Sequence, residues 1–202
     1  MSRKRQTVAV RAALAGVGLL FLLVAVAAGC VYFRRPAYAG TDTTQWRTGD
    51  IFFSVGDAWQ SVAVRTLTGA KHLEFSELTP SHCGLVVRTG GGEVRLVHAS
   101  TVAKRVVSET PEQYVSNNGT YCLYVAQAPC GVDTAALQQT LDSLLQSAVP
   151  FDFEFNHNDA SALYCTELVV YVLEQSGCRS FSNLRNNSYI YPADLLKHCP
   201  CK

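Results

Sequence analysis

The chain has 202 residues, 48% of them hydrophobic and 16% charged, which is apolar material for one compact domain and hardly for two. Seventeen Lys and Arg against sixteen Asp and Glu leave a formal charge of +1, so no global field marks a binder of nucleic acid or another polyanion. Neither a Gly-rich phosphate loop nor a basic-aromatic stripe occurs.

At the N-terminus, "SRKRQTVAVR" is followed by an uncharged apolar run over residues 12–33 and then by "RRP". Those 22 residues exceed the core of a cleavable signal, about 7 to 15 residues, and reach the roughly 20 that a bilayer-spanning helix needs. Residues 1–35 are therefore expected to form a single-pass transmembrane anchor. Arg3, Lys4, Arg5 and Arg11 precede the run, against Arg34, Arg35 and Arg47 after it, a bias that places the remaining chain on the non-cytoplasmic side. The alternative tether is a lipoprotein, because "VAAGC" ending at Cys30 resembles a processing site; the apolar residues directly after Cys30 favour the uncleaved anchor.

Eight cysteines fit a domain outside the cytoplasm, where disulfides persist. Setting Cys30 aside leaves Cys83, Cys122, Cys130, Cys165, Cys178, Cys199 and Cys201, an odd number. One should be unpaired, and Cys165 is the candidate.

Residues 36–48, small and polar without a period, read as a linker, and 49–202 as the folded domain. "GDIFFSV" is a strand pattern opened by a turn, and "AWQSVAVRTLTG" a helix with Val62 and Leu67 on its apolar side and Gly69 as its stop. Two strands follow, "HCGLVVR" and "EVRLVHAS", joined by "TGGG"; then come a polar stretch with a further edge, "KRVVSETPEQYV", and the strand "TYCLYVAQ". Leu137, Leu141, Leu144 and Leu145 predict a helix over 133–148, capped by Asp133 or Thr134. A loop, "VPFDFEFNHNDAS", leads into the helix "ALYCTELVVYVLEQSG", and "YPADLL" adds a last turn. Hairpins with helices before and after them predict an α+β fold, an antiparallel sheet packed on helices.

The chemistry centres on Cys165. With Ser161 or Asp159 as cap, its sulfur lies in the first turn of a helix, where unpaired N–H groups and the positive end of the dipole favour thiolate. A buried structural cysteine suits an apolar helix equally well, so a base is required to distinguish the two. His82 and His98 fall on one face of the two adjacent strands. Pairing Val86 with Val94 and Gly84 with Leu96 sets His82 opposite His98 and buries the apolar face, whereas a slip by one residue would bury Glu93 and Arg95. Gly84 would then leave room beside the rings for the Cys165 helix start. The result is a nucleophile, a base in His82 and an orienting group in His98.

The order of "GDIFF", "SHCGLVV", "LVHAS", "PFDFEF", "YCTELV" and "YPADLL" resembles the circularly permuted branch of the NlpC-type papain-fold hydrolases, YiiX-like proteins in particular, over nearly all of 49–196. The resemblance implies a papain-like fold, His82 as catalytic histidine and Cys165 as nucleophile. Many YiiX-like members have an acid where this chain has His98, so the third role is carried by a different residue type here. His157 in the polar loop is a substitute base, and Asp50, Tyr164 and Glu167 sit in the shared motifs. "HCPC", ending at Cys201, lacks a second ligand pair at zinc spacing and reads as a disulfide-bearing tail. Asn118 and Asn186 open glycosylation acceptor patterns.

The expected activity is a membrane-tethered cysteine hydrolase, a peptidase or amidase with a cell-wall peptide among its candidate substrates, that cleaves an amide bond through a thioester on Cys165 and with no cofactor. The alternatives are an acyltransferase or lipid hydrolase of the lecithin retinol acyltransferase type, acting on an acyl-containing small substrate, and a non-catalytic binding domain.

Overall fold

The computed structural model describes residues 42–72, 76, 78–155 and 161–200. The expected anchor, Cys30, His157 and Cys201 lie outside them. Among the described residues no helix is long and apolar enough to cross a membrane.

Five antiparallel strands form one sheet: β1 (Ile51–Gly56), β2 (His82–Arg88), β3 (Val94–Ser100), β4 (Arg105–Glu109) and β5 (Thr120–Ala126), in the order β4-β3-β2-β1-β5. The helices are α1 (Trp59–His72), α2 (Pro111–Asn118), α3 (Thr134–Gln146), α4 (Cys165–Gln175) and α5 (Pro192–His198), with a 3-10 turn over Ser182–Asn186. This is the α+β arrangement that the hairpin pattern predicts.

Alternation along the strands divides the core in two. Ile51, Phe53, Cys83, Leu85 and Val97 join Leu137 and Leu141 of α3 and Leu168, Val169 and Leu173 of α4. Phe52, Val86, Leu96 and Leu123 meet Tyr114 of α2 and Trp46 on the opposite face. Covering both faces explains why β1 is buried along its whole length.

Several expectations change. Trp46 is buried, and the Arg88 guanidinium donates to the carbonyls of Thr43 and Trp46, so the second half of the expected linker is docked on the sheet. Helix α1 runs past Gly69 and turns Thr68 and Gly69 inward, leaving Val62 and Leu67 exposed. Helix α2, read from sequence only as a polar stretch, is started by a reciprocal cap: Thr110 Oγ1 accepts from the Gln113 N–H while Gln113 returns a bond to the Thr110 N–H. Cys199 is a free thiol that donates to the Leu195 carbonyl, so no disulfide holds it. Cys130 and Cys178 form a disulfide with Cα atoms 5.5 Å apart, and Cys83, Cys122 and Cys165 are free as well.

The β2–β3 register also differs: Val86 pairs with Leu96 and Arg88 with Val94, two residues away from the expected pairing. The cause is the turn. Thr89 N–H bonds the Glu93 carbonyl around a loop of Gly90, Gly91 and Gly92, and Gly92 takes φ +84, the left-handed residue such a three-residue loop demands. A shift of two keeps every side chain on its expected face.

Candidate active site

The register brings Gly84, not His82, opposite His98, and the space over Gly84 is filled. A Cβ there would lie 2.5 Å from Phe52 Cε1 and 2.8 Å from His98 Cβ, so the glycine admits these two residues and not the α4 start. His82, paired with Ser54 at the first position of β2, meets His98 diagonally. His82 Nε2 and His98 Nδ1 are 3.0 Å apart, with the rings nearly perpendicular.

Cys165 reaches this pair because the 149–163 segment is tied down at both ends. Phe151 N–H bonds the Lys104 carbonyl and Leu163 N–H the Pro150 carbonyl, so the chain re-enters α4 beside the end of β3. Ala99, Phe151 and Tyr164 enclose that start, with Cys165 against them. Tyr164 is the N-cap and gives no side-chain cap bond, in place of the Ser161 or Asp159 cap that the sequence suggested. Cys165 is the first helical residue and is partly exposed. Its thiol is pushed well below the usual cysteine range, first by a hydrogen bond from the Cys83 thiol and then, against the cost of burial, by the charge and hydrogen bond of His82. Burial pushes the Cys83 thiol up, so it keeps its proton and acts as donor. With His82 Nε2 turned to His98, Nδ1 is the nitrogen left to serve the sulfur.

The orienting group has its own partner. His98 is fully buried, and its Nε2 lies 2.9 Å from Glu109 Oε2. Asn117 Nδ2 donates to Glu109 Oε1 at 2.6 Å and Asn118 Nδ2 to Oε2 at 3.2 Å. Burial pushes the His98 imidazole down to about 4, outweighing the upward pull of Glu109. Near neutral pH the His98–Glu109 contact is thus an N–H···carboxylate hydrogen bond rather than an ion pair. The Glu109 carboxyl is held below its ordinary range, first by the hydrogen bond from His98. Tyr114 packs edge-on against His98, centroids 4.9 Å apart, and its hydroxyl meets Ser54 Oγ at 2.6 Å.

Cys165, His82 and His98, all named from sequence, therefore converge. Asp50 instead accepts from the Arg47 N–H, Tyr164 packs under the nucleophile, and Glu167 is buried on α4. Sequence reasoning missed Cys83, Glu109, Tyr114 and the two asparagines. Glu109 was findable: it ends a strand whose alternate residues share the face of His98. The partner of that strand was not.

No family model matches the chain, and no curated protein does. Among solved structures it is similar to the crystal structure of YiiX from Escherichia coli O157:H7, described as a metalloprotein, with 25% identity over 66% of this chain and 68% of that one and a TM-score of 0.52. The fold is YiiX-like.

Proposed function

We propose that the chain is a cysteine hydrolase of the circularly permuted NlpC type, tethered to a membrane through residues 12–33, that cleaves an amide bond. The observation that carries the reading is geometric: a partly exposed thiol at the first position of α4, beside His82, whose Nε2 lies 3.0 Å from His98 Nδ1. Cys165 Sγ attacks the carbonyl carbon as its proton passes to His82 Nδ1, and the Cys165 backbone N–H stabilises the oxyanion that develops. Collapse breaks the C–N bond, and the leaving amine takes the proton from His82. Water then attacks the thioester, giving its proton to His82; the acid departs and the thiol is restored.

The neighbouring fold is described as a metalloprotein. Among the described residues no group of three or more His, Cys, Asp and Glu is arranged to hold a metal ion, and both ring nitrogens of His98 are engaged by protein groups. These residues do not fit a metal centre.

One feature favours acyl transfer or lipid hydrolysis as a second reading. Phe153, Phe155 and Tyr189 are exposed and join Phe151 and Tyr164 in an aromatic rim beside the nucleophile, a surface suited to an acyl chain.

In the folded, unreduced protein, iodoacetamide should alkylate Cys165 fastest of the free cysteines at pH 7, and His82→Ala should slow it by about tenfold or more. The mass of an acyl group trapped on Cys165 from a mixture of peptide amides and acyl esters identifies the substrate class, and its loss to water or to an added amine separates hydrolysis from transfer. A native Cys165 inert to alkylation would leave the non-catalytic binding domain.

A further inference from the structure

We infer that Glu109 is a positioning residue for this site: its carboxylate holds the proton of His98 on Nε2, which turns His98 Nδ1 into an acceptor for His82 Nε2–H and leaves His82 Nδ1 to receive the thiol proton. The inference rests on the hydrolase reading and extends the catalytic unit to four members, Cys165, His82, His98 and Glu109.

The geometry leaves His98 one workable tautomer. An ionised carboxylate only accepts hydrogen bonds. If His98 carried its proton on Nδ1, the bare Nε2 of the fully buried ring would face Glu109 Oε2 at 2.9 Å, two acceptors in contact with no donor between them. His82 Nε2 would then have to be the acceptor at 3.0 Å, moving the His82 proton to Nδ1, where it would point at Cys165 and block proton uptake. One carboxylate thus sets the direction of three successive hydrogen bonds.

Among the described residues, the groups facing the two rings are Tyr114 from α2, the Cys165 thiol on α4 and Glu109 of β4, and Glu109 is the acidic partner of His98. Burial pushes Tyr114 well above its ordinary range, so it stays neutral. Glu109 itself cannot swing away freely, because α2 fastens both of its oxygens through Asn117 and Asn118. When Cys165 transfers its proton, the imidazolium on His82 is backed by a negative charge one ring behind it.

Two measurements on the full chain in detergent micelles test this without a substrate. Long-range nitrogen–proton NMR correlations of the imidazoles should place the His98 proton on Nε2 and leave Nδ1 bare. Cys165 alkylation by iodoacetamide, followed at the Cys165 peptide by mass spectrometry, should show its pH midpoint raised by about one unit in Glu109→Gln, roughly a tenfold slower reaction on the acid side. Glu109→Asp, which keeps the carboxylate, should fall between the two. A proton on His98 Nδ1 in the native protein, or a Glu109→Gln midpoint equal to wild type, overturns the inference. Failure of the hydrolase reading is a separate result: Cys165 would be inert in the wild type while the tautomer of His98 remained as assigned.

Discussion

Gly84 is the smallest residue in the site and one of the most constrained. A side chain there would meet Phe52 Cε1 and the Val97 carbonyl oxygen, each at 2.5 Å, and neither neighbour is the loose end of a flexible chain. Gly84→Ala should therefore force β2 from β3 or expel the His98 ring, costing about 1 to 3 kcal/mol. Urea unfolding checks the stability, and Cys165 alkylation, which should slow because His82 loses its support, checks the site. At this scale the sequence carried much of the answer. Cys165 at a helix start and two histidines on one strand face are local patterns. Cys83 was hidden because it alternates with His82 along β2 and belongs by pattern to the opposite, apolar face; only the placement of α4 at the end of β2 brings one sulfur within reach of both.

Helix α2 links the edge of the sheet to the site. Its eight residues have no strong apolar period, and its stability comes from its ends: the Thr110–Gln113 box, Pro111 in the first turn, and Gly119 at φ +56 as the left-handed C-cap. Inward it delivers Tyr114 to Ser54; at its last turn it delivers Asn117 and Asn118 to Glu109. Thr110→Ala leaves the Gln113 N–H without its cap and should cost about 1 kcal/mol, measured by thermal unfolding against wild type. An unchanged transition would mean that packing of Tyr114 alone holds the helix. The Asn118 amide also bears on the glycosylation pattern it opens, since it donates to Glu109 and to the Tyr114 carbonyl.

For the whole molecule, the buried His98 sets an acid limit. Its ordinary value of 6.5 is pushed down to about 4 in the fold, so between these pH values the unfolded chain binds a proton that the folded chain refuses. Stability should fall as pH drops through that window, by roughly 3 kcal/mol in all, and this contribution should level off below it. Glu109 acts in the same direction at lower pH: its folded value is depressed, so the stability it contributes is present above its ordinary 4.5 and is lost as pH falls through the folded value. Urea unfolding at pH 7 and pH 4.5 measures the loss, and His98→Asn should make it smaller. Equal losses in both proteins would assign the acid sensitivity elsewhere.

The sequence by itself determined four strands and a further edge, the α+β class, the leucine face of α3 and three of the residues that meet at the site, because each is written in spacings of a few residues. Which strands neighbour one another, and in what register, was decided in three dimensions. The Gly90–Gly92 turn moved the β2–β3 pairing by two residues and kept the faces, so His82 and His98 still met, diagonally. Strand β4 docked beside β3, which turned an unremarked glutamate into the partner of His98. Contacts between residues eleven apart on separate strands depend on strand order and on burial, and neither is encoded in a local period.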